Sequence, residues 1–275
     1  MPDRSGLTLM AVHAHPDDEA SSTGGILCKY SNEGVRTVLV VCTKGELGDL
    51  SGGIKPDDPA HDATAVVAQR QRELEDSCEI LQVSDLELLG YRDSGMMGWP
   101  QNDAPDAFWN TSVEVAADRL AELMERYRPQ VVVTYDENGF YGHPDHIQAN
   151  RITLAAFDKT GIASKLYYPV IPRSELPRFA EVLRTAGFEP PPEAAEALDF
   201  GVPDEMIAAR MDCTEFAERK FRALEAHGSQ ADNAFFLRLG LEVFAQVFGT
   251  ESFVRARDVT GAPVPEADLF DGVAI

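Results

Sequence analysis

The sequence predicts an α/β fold in which helices cover both faces of a mainly parallel sheet. Apolar runs of strand length alternate along the chain with longer stretches of helical period, which is the pattern of such sheets. The chain has 275 residues, of which 44% are hydrophobic and 25% charged, as in ordinary soluble globular proteins. No run approaches the ~18 apolar residues that a membrane span needs.

The first half of the chain predicts three strands separated by two helices. The predicted ranges, in chain order, are 7–13 (strand), 19–32 (helix), 35–42 (strand), 63–81 (helix) and 86–89 (strand). Gly34 is expected to end the first helix in the left-handed conformation. Residues 43–62 are rich in Gly, Asp and Pro and are too many for a simple connection, so we expect a functional loop there.

The second half continues the alternation and then becomes less regular. After an irregular segment, 90–110, the capping-box pattern that starts at Thr111 opens a helix that ends near Tyr127. The other predicted ranges are 131–134 (strand), 135–143 (loop), 144–159 (helix, ended by Gly161), 166–170 (strand), 174–187 (helix), 188–203 (loop or lid), 214–227 (helix) and 235–248 (helix). The whole pattern indicates a Rossmann-like fold.

The charge of the chain restricts its partners. There are 24 Lys and Arg residues against 46 Asp and Glu, so the net charge is -22. Such a chain repels phosphate backbones and anionic lipid, and we expect neither a nucleic-acid nor a membrane partner. The N-terminal residues do not form a signal peptide, which predicts a cytoplasmic location. The four cysteines form no C-x-x-C pair, which argues against a zinc ribbon or a disulfide framework.

Two loops at predicted strand ends carry the chemistry. The first is His15-Pro16-Asp17-Asp18-Glu19, which follows the first strand. Its adjacent carboxylates point in different directions, so one can bind a metal while the other handles protons. The second is Tyr141-Gly142-His143-Pro144-Asp145-His146, which follows the fourth strand. His143 and His146 are three residues apart at a helix start and are close enough to serve one site.

Together the two loops supply His, Asp and His, the ligand types of a catalytic zinc site that keeps one position open. The alternative is that these residues only cap helices and form turns. Two such loops, both at strand ends where ligands bind in parallel sheets, favour the metal site over capping.

The two motifs resemble those of the zinc-dependent PIG-L/LmbE-like deacetylases of N-acetylglucosamine derivatives. Within that family the chain resembles the mycothiol branch, which includes an inositol-linked GlcNAc deacetylase and a mycothiol S-conjugate amidase. The resemblance extends over most of the chain, through RDSGM (92–96), TYDENG (134–139), SKLYY (164–168) and AHGSQ (226–230).

The resemblance implies a role for each site residue. It implies zinc ligands at His15, Asp18 and His146, with Fe²⁺ possible in the same site, and a general base at Asp17. The other implied roles are an oxyanion and leaving-group histidine (His143), the carboxylate that orients it (Asp145), a mobile tyrosine that polarises the carbonyl (Tyr141), and sugar contacts (Arg70 and Asp93). Arg72 lies close enough in sequence to compete with Arg70 for its role.

The substrate is the least determined part of the prediction. The amidase has a lysine three residues after its first motif, whereas this chain has Ser22, as the deacetylase does. A serine cannot supply a charge at the rim of the pocket, so we expect a small acyl group, acetate, on a small-molecule N-acylated aminosugar. The conjugate amidase remains the alternative.

Two other classes compete with an amide hydrolase. His15 and Asp17 with a distant histidine match a non-haem iron facial triad, although those enzymes usually have a small all-β barrel. A non-catalytic metal-binding module would not need Asp17 as a free carboxylate, or His143 and Asp145. His227 is expected in a loop, with a possible reach into the site from the C-terminal half.

We therefore expect one domain over residues 1–275. It would consist of a zinc-binding core (1–160) and a C-terminal portion (161–275) that shapes the pocket for the substrate. A homo-oligomer is possible.

Overall fold

A seven-stranded sheet forms the centre of the computed structural model, which describes residues 4–187, 201–231 and 233–274. The strands are β1 (Thr8–His13), β2 (Arg36–Thr43), β3 (Asp85–Tyr91), β4 (Val131–Val133), β5 (Lys165–Val170), β6 (Ile207–Asp212) and β7 (Thr250–Asp258). Their order is β3-β2-β1-β4-β5-β7-β6. The first five strands are mutually parallel, while β7 runs antiparallel to β5 and β6. The predicted α/β fold is confirmed, but β6 and β7 were not among the predicted strands.

Helices surround the sheet. They are α1 (Asp18–Ser22), α2 (Gly24–Asn32), α3 (Ala63–Leu81), α4 (Val113–Tyr127), α5 (Gly139–Gly142), α6 (Pro144–Thr160), α7 (Leu176–Thr185), α8 (Ala217–Ala226), α9 (Asn233–Arg238) and α10 (Gly240–Phe248). Ser112, one residue after the predicted cap, accepts the N–H of Val115 and begins α4. Gly161 ends α6 with φ at 58°. Within the described ranges, no helix combines the length and the apolar character that crossing a bilayer requires.

The single helix predicted over 19–32 is wrong, because the chain breaks at Thr23 into α1 and α2. The carboxylate of Glu251, from β7, accepts the N–H groups of Gly25 at 2.7 Å and Ile26 at 2.9 Å. A Cβ at Gly25 would lie 2.7 Å from the Glu251 carboxylate, so only glycine leaves room for it. An acidic side chain at the first turn of a helix satisfies free amides and favours a new helix start there.

The single helix predicted over 235–248 is also wrong. It is divided into α9 and α10 at Gly240, whose φ of 70° no regular helix tolerates. Of the predicted loop or lid at 188–203, residues 188–200 lie outside the described residues.

The core consists of two apolar layers, one on each face of the sheet. Leu9 and Ala11 of β1 belong to one layer, and Met10 and Val12 belong to the other. All six residues of β1 are buried, as expected for a central parallel strand covered on both faces. The four cysteines are free and buried.

The sheet order brings the two motif-bearing loops together. β1 and β4 are neighbours, with Leu9 opposite Val131. The chain leaves β1 towards β2 on one side and leaves β4 towards β5 on the other. Parallel α/β sheets open a crevice at such a reversal point, at the carboxyl ends of the strands. β4 also pairs with β5, so the sheet is continuous across the predicted boundary at residue 160, and that division stays a prediction.

Candidate metal centre

Asp18 lies between two histidines that come from different loops. The N–H of His15 donates to Asp18 Oδ2 at 2.8 Å, and His15 Nδ1 lies 3.4 Å from the same oxygen. His146 Nε2, from the first turn of α6, is 3.5 Å from Asp18 Oδ1. Burial raises the pKa of Asp18, but the neighbouring His146 and His15 outweigh it and hold the pKa well below its ordinary value. Asp18 is therefore an ionised carboxylate facing two imidazoles.

His146 is the residue whose environment most clearly indicates a ligand. It is 2% exposed, and its Nε2 has no hydrogen-bond partner in the described part of the chain. The ring of Tyr135 stacks on it with a centroid distance of 4.1 Å and fixes its plane. Burial lowers the pKa of His146 to about 4. The ring is therefore neutral at pH 7, which is the form that binds a metal.

A third histidine completes the cluster. Ring nitrogens of His15, His143 and His146 lie within 4.8 Å of one another, and all three residues are buried. The structure thus brings together residues that can hold a metal ion. The choice of His15, Asp18 and His146 as the ligand set stays a prediction, with His143 at the same centre.

Asp17 has surroundings unlike those of its neighbour. Its backbone is left-handed, with φ at 119°, and its Oδ2 lies 3.2 Å from a guanidinium nitrogen of Arg70. Burial raises the pKa of Asp17 to about 6, although Arg70 opposes this shift. A carboxylate with such a pKa can accept a proton near neutral pH. The expected divergence of the two adjacent aspartates is present in their contacts.

The expected contact between the Asp145 carboxylate and His143 is absent among the described hydrogen bonds, and the orienting role of Asp145 towards His143 stays a prediction. The link is the backbone N–H of Asp145, which donates to His143 Nδ1 at 3.1 Å because His143 caps α6. The Asp145 carboxylate instead meets His15 Nε2 at 3.2 Å and accepts the N–H of Ser94 at 2.9 Å. The Ser94 hydroxyl donates to its other oxygen. Asp145 thus orients His15, and the histidine spacing gave no sign of Ser94.

His143 is neutral in the resting site. Burial lowers its pKa to about 2, and the nearby His15 and His146 act in the same direction. Because Nδ1 accepts a backbone N–H, the neutral ring carries its proton on Nε2. His143 therefore presents a hydrogen-bond donor.

Tyr141 lies on a strained loop beside the histidines. Its ring centroid is 5.0 Å from that of His146, and its side chain is 49% exposed at the mouth of the site. Phe140 has φ at 67°, which is costly for a residue with a side chain. A Cβ at Gly139 would lie 2.8 Å from the Cβ of His146, so glycine permits this close approach. Strain of this kind often accompanies functional loops.

The three predicted substrate residues all line one cavity with the histidines. The cavity has a volume of about 1590 Å³ and includes Ser22, Arg70 and Asp93 in its wall. Arg70 is 4% exposed and donates to the carbonyl oxygen of Gly45 at 2.9 Å, whereas Arg72 is exposed on the outer face of α3. Of the two arginines, Arg70 is thus the one in the cavity wall, and its contact with the sugar stays a prediction.

His227 does not line the cavity; it lies behind the first motif, on the side facing the protein interior. Its Nε2 lies 2.7 Å from Oε1 of Glu19, and both side chains are fully buried. The sequence motifs assign Glu19 no role, although it ends the first of them. No periodic signal connects Glu19 with His227, because the contact joins residues 208 positions apart.

Fold and site together define a class: an α/β protein with a cluster of histidines and aspartates that can hold a metal ion at the switch point of its sheet. A second carboxylate, paired with Arg70, lies beside the cluster. The family model described as PIG-L, GlcNAc-PI de-N-acetylase, matches residues 10–157. The chain belongs to this family, as the sequence motifs predicted, and the expectation of an amide hydrolase is confirmed at the level of the family. The oxygenase and the non-catalytic module receive no support from this match.

Relatives match almost the whole chain. A protein of Acidothermus cellulolyticus named 1D-myo-inositol 2-acetamido-2-deoxy-alpha-D-glucopyranoside deacetylase is 43% identical over 98% of this chain and 96% of its own length. A protein of the same name from Geodermatophilus obscurus is 40% identical over 96% of this chain and 97% of its own length.

Solved structures share the fold at lower identity. The N,N'-diacetylchitobiose deacetylase from Pyrococcus horikoshii matches with a TM-score of 0.60 and 22% identity over 95% of this chain and 88% of its own. The 4-carboxy-2-hydroxymuconate hydratase GalB from Pseudomonas putida matches with a TM-score of 0.61 and 17% identity over 94% of this chain and 99% of its own. A hydratase and a deacetylase share this fold, so the fold by itself does not identify the reaction.

Proposed function

We propose that this chain hydrolyses the N-acetyl amide of an N-acetylglucosaminyl-inositol and releases acetate and the free amine. One observation carries the proposal: a buried His146 Nε2 without a partner among the described residues and an ionised Asp18 face one another beside a second carboxylate, Asp17. The name shared by the relatives at about 40% identity supports the substrate.

The donor set fits zinc. Two imidazoles and one carboxylate, His15, His146 and Asp18, are the ligand types of catalytic zinc sites. Zinc, when bound, supplies positive charge that polarises the amide carbonyl and lowers the pKa of a water molecule towards about 7. The same donors accept Fe²⁺, since nitrogen and oxygen ligands discriminate weakly among divalent metals.

Asp17 is the general base of the proposed reaction. Its carboxylate is held by Arg70 at 3.2 Å and does not lie between the histidines. The pKa raised by burial to about 6 makes it a better proton acceptor than an ordinary aspartate while leaving it largely ionised at pH 7. Asp17 takes the proton of the attacking water.

His143 first donates a hydrogen bond to the carbonyl oxygen and then protonates the leaving nitrogen. The proton on Nε2 of the neutral ring donates to the oxygen as negative charge develops there. Protonation of the amine needs an imidazolium, which burial disfavours in the resting site by lowering the pKa of His143 to about 2. We therefore propose that His143 takes a second proton from solvent during turnover, when the negative charge beside it favours the cation, and passes a proton to the leaving nitrogen. Asp17 then returns the proton of the water to solvent, so the protons balance.

Tyr141 and the substrate residues complete the pocket. From the mouth of the cavity, the Tyr141 hydroxyl polarises the carbonyl together with His143. Asp93 accepts the N–H of Gly95 at 2.8 Å, so its carboxylate is fixed in the wall, where it and Arg70 bind sugar hydroxyls. Ser22 adds no charge at its own position in the wall, which suits a small acyl group.

The acyl preference is tested by comparing kcat/KM for an N-acetylglucosaminyl-inositol with kcat/KM for a mycothiol S-conjugate. We expect the acetyl substrate to be preferred. The cavity volume of about 1590 Å³ admits the bulkier conjugate, so a clear preference for the conjugate would establish the amidase instead. Ser22→Lys should shift the ratio towards the conjugate, whereas Gln71→Lys, which adds the same charge on the exposed face of α3, should not.

The metal is tested on the purified protein. We expect about one zinc per chain by elemental analysis, loss of acetate release after chelation, and recovery on addition of Zn²⁺. Recovery of acetate release on addition of Fe²⁺ under anaerobic conditions would measure how weakly the site discriminates between Zn²⁺ and Fe²⁺. A metal-free protein with full activity would contradict the proposal. The cytoplasmic location and the homo-oligomer stay predictions.

A further inference from the structure

A buried carboxylate behind the catalytic pocket contacts the backbone of the general base. Glu19 is fully buried, and its Oε2 accepts the N–H of Asp17 at 2.9 Å. Its Oε1 accepts the hydroxyl of Ser77 at 2.5 Å and meets Nε2 of His227 at 2.7 Å. Both oxygens of the Glu19 carboxylate thus have partners. Oε2 contacts the catalytic site through the main-chain N–H of Asp17.

The backbone that Glu19 contacts needs such support. Asp17 has φ at 119° and ψ at −24°, a left-handed conformation that residues with a side chain rarely adopt. Conformations of this kind are costly and persist only where the surroundings hold them. The same conformation separates the Asp17 carboxylate from that of Asp18 and places it against Arg70. A relaxed backbone would move the base.

His227 fixes Glu19 from the other half of the chain. It caps the end of α8 and is fully buried. An ionised carboxylate only accepts hydrogen bonds, so Nε2 of His227 is the donor and the ring orients Glu19 Oε1. This contact crosses from the C-terminal portion to the first motif without touching the cavity, since neither residue lines it.

We propose that Glu19 and His227 are positioning residues that act on catalysis through the main-chain amide of Asp17. The inference rests on the proposed function, in which Asp17 is the base. His227 holds the carboxylate, the carboxylate holds the Asp17 N–H, and the held backbone directs the base towards the attacking water. Neither residue binds the metal or the sugar.

The first test is kinetic. Glu19→Gln keeps the shape but replaces one acceptor oxygen by a donor, which opposes the N–H of Asp17 or of His227. We expect kcat to fall about 10- to 100-fold, because small displacements of a catalytic group have effects of this size. KM should change less than about twofold, and the metal content should equal that of the parent. Unchanged kcat, or loss of the metal, would overturn the inference.

A double-mutant comparison separates positioning from general loss of structure. In the Asp17→Asn background, Glu19→Gln should cost less than about threefold, because the group it positions no longer acts as a base. A cost as large as in the parent would overturn the inference while leaving Asp17 as the base. If Asp17→Asn itself kept full activity, the proposed function would fail, whatever Glu19 does.

Amide hydrogen exchange provides a readout without substrate. The Asp17 N–H should exchange at least about tenfold faster in Glu19→Gln than in the parent, in protein carrying its metal. Glu266→Gln is the matched control, because Glu266 is another buried carboxylate with several donors and lies away from the cavity. The control should leave kcat and the Asp17 amide unchanged. Equal exchange of the Asp17 amide in parent and Glu19→Gln would contradict the proposal.

His227→Ala tests the outer contact and stands in if Glu19→Gln does not fold. It should lower kcat in the same direction by a smaller factor, with the metal retained. His227→Gln, which keeps a donor, should recover part of the loss. A fully active His227→Ala would remove His227 from the proposal.

Discussion

Two buried polar clusters in this molecule have similar burial but differ in how far their groups are satisfied. In the C-terminal portion, Glu266 accepts from the Tyr167 hydroxyl at 2.7 Å and from Arg255 at 2.9 Å, and it also pairs with the fully buried Lys165. At the metal centre, His146 Nε2 has no hydrogen-bond partner among the described residues. Native interiors satisfy most buried polar groups. The fully paired Glu266 therefore indicates a structural role, whereas the nitrogen of His146 that is unpaired within the described ranges, and that lies beside Asp18 and two further histidines, indicates a metal site. Variants in the two clusters should therefore fail in different ways.

The largest expected effects are losses of turnover and of bound metal at the metal centre. They should differ between the adjacent residues Asp17 and Asp18. Asp17→Asn should lower turnover by about 10²- to 10⁴-fold and keep the metal, because it removes a base that faces Arg70. Asp18→Ala should lose metal and activity together, because it removes the carboxylate between His15 and His146. Acetate release and elemental analysis on the same samples check both. Equal metal loss in the two variants would mean that the roles are shared.

A substitution in the cluster around Glu266 should lower the free energy of unfolding and leave kcat unchanged. Glu266→Ala removes the carboxylate that neutralises the buried ammonium of Lys165, and removing one partner of a buried pair costs about 3–5 kcal/mol. Denaturant titration measures the loss, and kcat per folded molecule should stay at the parent value. The double variant Lys165→Met with Glu266→Leu should recover much of the stability. A drop in kcat in the folded protein would show that the cluster is not purely structural.

A smaller effect is expected from the contact between Asp145 and His15. Asp145→Ala removes the acceptor from His15 Nε2 and should weaken metal binding about 10- to 100-fold, the usual cost of losing a carboxylate behind a ligating histidine. Competition with a chelator measures the dissociation constant. His143→Ala leaves that contact in place and should weaken metal binding less. Metal binding that is unchanged in Asp145→Ala would favour the pairing with His143 that the motif predicts.

The smallest expected effect is a pH-dependent contribution of Asp268 to the stability of the fold. Asp268 lies outside both clusters. Burial raises the pKa of Asp268, but hydrogen bonds from Arg4 and from the backbone of Phe270 outweigh it and lower the pKa below its ordinary value. A folded pKa below the unfolded value stabilises the protein above about pH 4, and this contribution is lost as the pH falls through the folded pKa.

The pH effect is measured as the difference in Tm between the parent and Asp268→Asn. The difference should be present at pH 7 and shrink towards zero in acid. Asp106→Asn, which disrupts an exposed pair with Arg92, should have little effect at either pH. A Tm difference for Asp268→Asn that did not change with pH would contradict the assignment.

Local sequence signals are sufficient for the parallel part of the sheet and for the location of the site. The alternation of strands and helices places the residues after β1 and β4 at one edge, so the sequence alone predicts that His15 and His146 lie close together. The adjacency of Asp17 and Asp18 is enough to expect different contacts. These inferences depend on patterns within short stretches of sequence and on the rule that parallel sheets bind ligands where the strand order reverses.

The errors share a physical cause, which is contact between residues far apart in the chain. The break at Thr23 depends on Glu251, which is 226 residues from Gly25. No local sequence signal indicates that the Asp145 carboxylate contacts Ser94 and His15, which lie 51 and 130 positions away in the chain. The antiparallel strand β7 pairs with both β5 and β6, and these pairings join residues far apart in the chain. Periodicity within a window carries no information on such partners.

The carboxylate of Glu251 at the start of α2 has a consequence for how the chain is completed during synthesis. During synthesis, residues 24–32 are made long before residue 251. The N–H groups of Gly25 and Ile26 at the start of α2 therefore lack the Glu251 carboxylate as their acceptor at first. β6 also precedes β7, the strand through which it joins the sheet. The pocket wall around Ser22 therefore acquires its final support only when β7 inserts between two strands that are already made, and the nascent enzyme matures from its C-terminal side.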